Sequence, residues 1–189
     1  MKNVSKLLLM AVAYLAIFIL GATSGMIHPA CYAYVGAILP LLFAFVYLKT
    51  ASIIKGFGAA TFLNGVLLVL FLIAGEADWT LVIGFVILTA LSEILRYFLG
   101  YNTKKGIRWS FVPLAYSFFA YTFHWWTDTE GSLAAAVEEM PAGYDEMMKP
   151  VIDNIPMLVV VLVLTLPISI LGMRLAEKVL KKQVSKLSI

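Results

Sequence analysis

The sequence predicts an all-α polytopic membrane protein: a bundle of six transmembrane helices in a single domain, 1–189, with both termini in the cytoplasm. Three observations predict this class. Of the 189 residues, 62% are hydrophobic and only 13% are charged, and the mean hydropathy is +0.94, which is too apolar for a soluble domain. Several apolar stretches have the length of a membrane span. The segments between them carry charges that are sorted by sign.

Six apolar stretches are predicted to span the bilayer. Because a helix rises about 1.5 Å per residue, about 20 residues are needed to cross a hydrocarbon core of about 30 Å. Backbone amides in lipid must be bonded within the protein, and the alternating pattern of a barrel is absent, so helices are expected. The predicted spans are 7–23, 32–48, 56–74, 79–97, 109–125 and 155–176.

The charges of the connecting segments predict how the bundle is oriented, because basic residues concentrate on the cytoplasmic side of a membrane protein. Thirteen of the 14 Lys and Arg residues fall on one side, whereas nine of the 11 acidic residues fall on the other, together with Lys149. Six crossings with both ends inside agree with this distribution. The segment 127–153 is then extracellular. We favour a lid over an outer pocket for it, with a solvated acidic spacer as the alternative.

Both histidines of the chain are predicted to face the outer side. His28 lies in the segment GMIHPACYAY after the first span, and His124 lies at the outer end of the fifth. We expect an outward-facing pocket for an aromatic or metal-bearing ligand, although a histidine at an interface is more often only hydrogen-bonded. Asn64, in the third span, is either a substrate contact or an interhelical hydrogen bond. The candidate substrate-binding residues are His28, Tyr32, Tyr34, Asn64, Tyr121, His124 and Trp125.

Two charged residues, Glu93 and Arg96, fall three positions apart on one face of the fourth predicted span. Charged side chains in lipid are costly and frequently functional. We favour an ion pair between them, in which Arg96 extends to the inner interface and Glu93 accompanies it. The alternative is a contact with a proton or a partner protein.

The sequence lacks the motifs of common catalytic sites. It has no His-Glu-x-x-His pair, no paired cysteines for zinc, no Gly-x-Ser-x-Gly nucleophile elbow and no phosphate-binding Gly-rich loop. Basic residues next to apolar segments are typical of topology signals and not of a nucleic-acid surface. We therefore expect no enzyme activity, no cofactor and no nucleic-acid partner. Any energy input has to come from another protein.

Three stretches of the chain resemble a known class of membrane protein. They are YVGAILPLLFAFVYLKTASIIKGFGAATFLNGVLLVLF in the second and third spans, SEILRYFLGYNTKKG after the fourth, and EKVLKKQ at the end. With six spans and a strongly basic end, the chain resembles the substrate-binding S components of energy-coupling factor (ECF) transporters, and in particular the hydrophobic Trep_Strep family. The likeness covers nearly the whole chain.

This resemblance implies a subunit of an ABC-type importer in the bacterial cytoplasmic membrane. An S component binds a small nutrient at its outer side, while a transmembrane coupling (T) subunit and two cytosolic ATPases supply the energy. Relatives linked to haem uptake make His28 and His124 candidate ligands of haem iron, whereas the acidic outer loop disfavours the haem propionates. The Ala-x-x-x-Ala docking signature of the class is not exact here. The candidate docking residues for the coupling subunit are Ala11, Ala13 and Ala16.

Two other classes of function stay open from the sequence. One is a membrane-embedded enzyme that acts on lipid or isoprenoid substrates. Such an enzyme needs a cluster of acids or bases at one depth, for which the sequence offers only Glu93. The other is a structural or assembly protein of the membrane that binds helices and no small molecule.

Overall fold

The computed structural model describes residues 2–181 and 185, and all regular structure in this part of the chain is helical. Met1, 182–184 and 186–189, which include Lys182 and Lys186 of the predicted basic end, lie outside the described residues. Short 3-10 turns occur at Ser24–Met26 and Val35–Ala37. The helices are α1 (Lys2–Thr23), α2 (Pro29–Tyr34), α3 (Pro40–Ile53), α4 (Ala59–Ala74), α5 (Trp79–Leu99), α6 (Lys104–Leu114), α7 (Ser117–Thr122), α8 (His124–Thr127), α9 (Thr129–Glu139), α10 (Tyr144–Asp153) and α11 (Ile155–Val179).

Three helices of the described residues are long and apolar enough to cross a membrane: Asn3–Met26, Trp79–Leu99 and Ile155–Val179. The pair Pro29–Ala37 and Pro40–Ile53, bent by 45°, adds a fourth if it is counted as one span. The apolar helix α4 has only 16 residues. The all-α class predicted from the sequence is confirmed. The count of six spans and the cytoplasmic position of both termini stay predictions.

Prolines explain why two predicted spans are not continuous helices. Pro29 and Pro40 each stand at the start of a helix, where the missing N–H costs nothing. Pro113 lies inside α6, which ends one residue later. The predicted span 32–48 is therefore divided between α2 and α3, and the predicted span 109–125 is divided among α6, α7 and α8.

Two glycines permit close packing at the elbow between α2 and α3. A Cβ on Gly172 of α11 would lie 2.7 Å from the carbonyl oxygen of Pro40, and a Cβ on Gly36 would lie 3.0 Å from the ring of Phe119. The first distance is too short for any real side chain, because protein interiors are already close-packed. The backbone of α11 therefore contacts the start of α3 directly, as small residues permit in membrane helices.

The centre of the bundle is an aromatic cluster around Phe18 of α1. The centroid of its ring lies 5.0 Å from that of Phe118, 5.4 Å from that of Tyr121 and 5.6 Å from that of Phe71. Buried aromatic pairs at such distances contribute about 0.5–1.5 kcal/mol beyond the area they bury. The cluster thus joins α1, α4 and α7.

Asn64 forms a polar link inside this apolar core. Its side-chain oxygen accepts hydrogen bonds from the Tyr14 hydroxyl at 3.1 Å and the Ser117 hydroxyl at 3.0 Å, and its amide nitrogen donates to Thr89 Oγ1 at 2.9 Å. These partners lie on α1, α7 and α5. This geometry agrees with the interhelical role that the sequence left open for Asn64.

Glu93 of α5 caps the N-terminus of α4. Its Oε1 accepts hydrogen bonds from the Ala60 N–H at 2.9 Å and from the N–H and hydroxyl of Thr61 at 3.2 and 3.4 Å. The side chain is only 3% exposed. The first N–H groups of a helix have no partner within it, and the positive end of its dipole favours a carboxylate. Glu93 supplies the cap that Gly58, which precedes α4 with a φ of 113°, has no side chain to make.

Arg96 caps the C-terminus of α3, at the other end of the connection between α3 and α4. Its Nη2 donates to the carbonyl oxygens of Ala51 at 2.8 Å and Ile54 at 2.7 Å, at the C-terminus of α3, and its Nε donates to the carbonyl oxygen of Tyr101 at 3.0 Å. The residue is fully buried. The expected Glu93–Arg96 ion pair and the extension of Arg96 to the interface are therefore wrong. Oε1 of Glu93 and Nε and Nη2 of Arg96 are instead bonded mainly to backbone near helix ends, whereas Glu93 Oε2 and Arg96 Nη1 have no hydrogen-bond partner among the described residues.

We expect the Glu93→Leu variant to be destabilised by about 2–4 kcal/mol, because it loses a helix cap and several buried hydrogen bonds together. Glu93→Gln retains an acceptor oxygen of similar reach and should lose clearly less. Thermal unfolding in detergent, followed by circular dichroism, measures both. Equal unfolding midpoints for the Leu variant and the wild type would contradict the capping role.

The predicted orientation can be tested at Cys31, the single cysteine of the chain, which is exposed. A membrane-impermeant maleimide should label it in intact cells, because the basic segments place this turn outside. The matched control is the double variant Cys31→Ala/Lys105→Cys, whose thiol at an exposed, predicted cytoplasmic position should react only after permeabilisation. The opposite pattern of labelling would reverse the orientation.

Candidate functional site

A cavity of about 360 Å³ lies between the α4–α5 connection, α8 and α9. This volume is within the range of small-molecule sites, about 300–1,000 Å³. We call it the acidic cavity, because four carboxylates line it: Glu76, Asp78, Asp128 and Glu139. The rings that line it are those of Tyr32, Tyr121, His124 and Trp125.

Helix ends place the carboxylates at this cavity. Asp78 precedes α5, and its Oδ1 accepts from the Leu81 N–H at 2.6 Å; Asp128 precedes α9, and its Oδ1 accepts from the Gly131 N–H at 3.2 Å. Aspartate is a favoured N-cap because it satisfies an N–H that the helix leaves unbonded. Two helix starts therefore bring two negative charges to the same cavity.

The position of Glu76 follows from the end of α4. Gly75 has a φ of 78°, a left-handed conformation that residues with a side chain rarely adopt. The Glu76 N–H then donates to the carbonyl oxygen of Phe71 at 2.9 Å, which closes the helix end. The chain turns sharply here, so Glu76 lines the cavity beside Asp78.

The aromatic rings of the cavity brace one another. The Tyr32 ring lies 5.9 Å from Tyr121 and 6.4 Å from Trp125, nearly perpendicular to both. Tyr121 stacks on Phe71 at 5.1 Å, and the His124 and Trp125 rings lie 5.0 Å apart. Perpendicular contacts of this kind are favourable for aromatic pairs. The rings form a preorganised wall that is continuous with the aromatic core.

His124 is held in this wall by α9. Its Nδ1 is hydrogen-bonded to the Ser132 hydroxyl at 2.8 Å, and the same hydroxyl lies 3.2 Å from the carbonyl oxygen of His124. Ser132 itself is buried and lines the cavity. The bond fixes the imidazole plane and joins the segment that follows α8 to the cavity wall.

The structure brings together four of the seven candidate residues named from the sequence: Tyr32, Tyr121, His124 and Trp125 line the acidic cavity. His28 does not line it; this residue is exposed, and its Nδ1 accepts a hydrogen bond from the Ala30 N–H at 3.0 Å as the cap of α2. The two histidines therefore do not converge on one ligand site in this structure.

The two remaining candidates lie elsewhere. The Tyr34 hydroxyl donates to the carbonyl oxygen of Val151 in α10 at 3.1 Å. Asn64 lines a different, mainly apolar cavity of about 540 Å³ between α4 and α5, together with Thr61, Thr89 and Glu93. Each of these side chains has a structural partner within the fold.

Sequence reasoning missed the carboxylates of the site and Ser132. It counted Glu76, Asp78, Asp128 and Glu139 only as markers of the outer side. The available signal was their position: Asp78 and Asp128 each stand directly before a helical segment, and Asp128 follows the predicted span that carries Tyr121 and Trp125. A favoured N-cap residue at a predicted outer helix start indicates where its charge will lie.

The segment 127–153 is folded and not an extended spacer. It contains α9 and α10, and Tyr144 and Met148 of α10 are buried against the body of the protein. Two side chains of the body hold α10: the Trp126 Nε1 donates to the carbonyl oxygen of Ile152 at 3.1 Å, and the Tyr34 hydroxyl donates to that of Val151. α9 forms one wall of the acidic cavity. Whether this segment moves as a lid stays a prediction.

Two buried donors beside the cavity lack a partner among the described residues. They are the Trp125 Nε1 and the Tyr144 hydroxyl, on rings whose centroids lie 6.5 Å apart. Burial raises the pKa of Tyr144 above its usual value, so its hydroxyl remains protonated at neutral pH. An unpaired buried donor costs about 1–3 kcal/mol. The fold tolerates this cost at the cavity wall.

The three candidate docking alanines of α1 differ in exposure. Ala11 is buried in the bundle, Ala13 is half-buried and Ala16 is exposed. Residues three apart share a helix face, which places Ala13 and Ala16 together and Ala11 away from them. Ala16 is therefore at the exposed surface of α1, whereas Ala11 is not.

We expect the double variant Tyr34→Phe/Trp126→Phe to loosen α10, because it removes both hydrogen bonds that these side chains make to the helix. At about 1 kcal/mol per bond, local opening should increase about tenfold to thirtyfold. Hydrogen–deuterium exchange of 144–153 in detergent measures this, with the amides of α1 as the internal control. Unchanged exchange in α10 would show that apolar packing alone holds it.

Comparison with known families identifies the chain at the level of a family. Residues 1–186 match a family described as hypothetical bacterial integral membrane protein (Trep_Strep). No curated protein and no solved structure shows a significant match. The family and the long apolar helices together place the protein in a bacterial membrane as a multi-pass protein. The chain belongs to the Trep_Strep family of hypothetical bacterial integral membrane proteins.

Proposed function

We propose that the protein is the substrate-binding S component of an ECF-type importer. It would bind a small nutrient in the acidic cavity and deliver it with a transmembrane coupling subunit and two cytosolic ATPases. The observation that carries this proposal is a cavity of about 360 Å³ that is walled by four aromatic rings, two of them the buried rings of Tyr32 and Trp125, and bounded by the folded segment α9. Such a site is suited to hold a small molecule.

The architecture around the cavity supports a binding subunit. The cavity lies at the end of the bundle that carries the acidic segments, which the charge distribution assigns to the outside. The Phe18 cluster adjoins the cavity, because Tyr121 belongs to both. A ligand that enters from outside would meet this packed cluster, so its delivery would require a movement of the protein.

A membrane-embedded enzyme is less well supported. Glu93, the acid that the sequence offered for such chemistry, uses Oε1 to cap α4. Among the described residues no three His, Cys, Asp or Glu side chains are grouped closely enough to hold a metal ion. A purely structural role would not account for the acidic cavity and its preorganised rings.

The geometry also favours a small organic nutrient over haem. Only His124 of the two histidines lines the cavity, and the four carboxylates would repel haem propionates. A ligand with no negative charge fits this wall better.

Complex formation tests the proposal. Wild-type protein carrying an affinity tag, coexpressed with an ECF coupling subunit and the two ATPases of the same bacterium, should recover all three in detergent. Ala16→Trp should reduce this recovery about tenfold, because a large side chain on the small-residue face of α1 prevents close helix contact. Ile83→Trp, at an exposed position of α5, is the matched control and should recover the complex normally.

The result that would overturn the proposal is failure of the wild-type protein to recover the coupling subunit, although the control components assemble with a known S component. Equal loss of the complex in the Ala16→Trp and Ile83→Trp variants would place the docking surface elsewhere than on α1.

A further inference from the structure

We propose that the acidic cavity selects an organic cation, a ligand whose positive nitrogen carries apolar substituents. This inference rests on the proposed function in one respect: it takes this cavity as the substrate site. It adds the chemical class of the substrate, which the resemblance to the transporter class leaves open. Three features of the cavity carry it: its charge, its ring geometry and the spacing of its carboxylates.

The charge of the cavity is negative and is not neutralised by the protein. Its described lining has four carboxylates and no Lys or Arg. The ion pairs of the described residues are Arg108–Glu177 and Lys149–Asp145, and neither involves a lining carboxylate. The helix starts at Asp78 and Asp128 offset only part of this charge. Carboxylates that line a cleft concentrate a negative field there, which attracts cations and disfavours anions.

The rings of the cavity suit an alkylated cation. The plane of the Tyr32 ring stands nearly perpendicular to the planes of Tyr121 and Trp125, at 85° and 86°, so the ring pairs meet edge to face. Aromatic faces attract cations through the negative charge of the ring surface, and several rings at right angles form the cage that binds quaternary ammonium groups. Apolar substituents on the nitrogen would contact the same faces.

The carboxylates are arranged for a diffuse cation and not for a metal ion. Among the described residues no three acidic, His or Cys side chains are close enough to hold a metal. The four carboxylates come from three segments, the α4–α5 connection, the start of α9 and the end of α9, and so surround the cavity. A cation several ångströms wide would meet carboxylates from more than one segment, and Asp78 and Asp128 could keep their helix caps because each uses one oxygen for the cap.

The unpartnered indole N–H of Trp125 points to a second property of the ligand. Trp125 is 3% exposed and lines the cavity, and its Nε1 makes no hydrogen bond of normal geometry among the described residues, although the Tyr32 side chain lies near it. Buried donors are nearly always bonded in proteins. An acceptor atom near the cation, such as a hydroxyl or carbonyl oxygen, would complete this bond.

Three probes that share a benzene ring and differ in charge test the proposal: benzyltrimethylammonium, N,N-dimethylbenzamide and phenylmethanesulfonate. Isothermal titration calorimetry of the full-length protein in a neutral detergent gives the dissociation constant of each. We expect the cation to bind at least about tenfold more tightly than the neutral amide, and the sulfonate not to bind. Added salt should weaken binding of the cation.

Matched variants assign the effect to the cavity. Glu139→Gln should weaken binding of benzyltrimethylammonium about threefold to tenfold, whereas Glu138→Gln, on the neighbouring residue outside the cavity, should leave it unchanged. Asp78→Asn should weaken binding to a similar degree and keep the fold, because asparagine also caps helices. Tyr121→Leu should weaken binding and Tyr121→Phe should retain it, because the Phe ring keeps the aromatic face.

Several results would overturn the proposal. They are equal or tighter binding of the neutral or anionic probe, no binding of the cation at millimolar concentration, or equal effects of the Glu138 and Glu139 variants. Recovery of the coupling subunit and ATPases decides the importer role separately. If the complex forms but the cavity prefers the neutral or anionic probe, the proposal of an organic cation is wrong and the proposal of an importer subunit stands.

Discussion

The connection between α3 and α4 depends on two buried charges of α5. Glu93 bonds the first N–H groups of α4, and Arg96 bonds the last carbonyl oxygens of α3. Each charge is stabilised by the end of the helix dipole that it meets, which compensates in part for removing it from water. A single helix thus holds two others at their ends. The polar link at Asn64 and the aromatic cluster at Phe18 continue this alignment towards the acidic cavity.

The two ends of the bundle use charge in different ways. At the end with the basic segments, Glu93 and Arg96 of α5 each bond backbone groups at a helix end, and Arg108 pairs with Glu177 to join α6 to α11. At the other end, the carboxylates of Asp78 and Asp128 cap helices through one oxygen each and still face the cavity. The carboxylates of the cavity are not paired with a Lys or Arg among the described residues, so their negative charge is available to a ligand.

The sequence predicted the helical class well, because apolar composition and the need to satisfy backbone amides in lipid act over whole segments. It predicted four rings of the site for a similar reason, since they cluster at span ends. It did not predict the partners of Glu93 and Arg96, because spacing on one helix reveals only neighbours on that helix. It placed His28 in the pocket, since nothing in the sequence shows that the imidazole caps α2. The prediction of one continuous helix over 109–125 did not take account of Pro113, which lies near the end of α6.

The elbow between α2 and α3 bends the chain by 45°. Its angle depends on two positions without a side chain, Gly36 against Phe119 and Gly172 against Pro40. A methyl group at Gly172 would press on the carbonyl group of Pro40 and so displace the start of α3, to which the elbow joins α2 and its cavity residue Tyr32. The packing of α11 against α3 thus bears on the shape of the ligand wall, although neither helix lines the cavity.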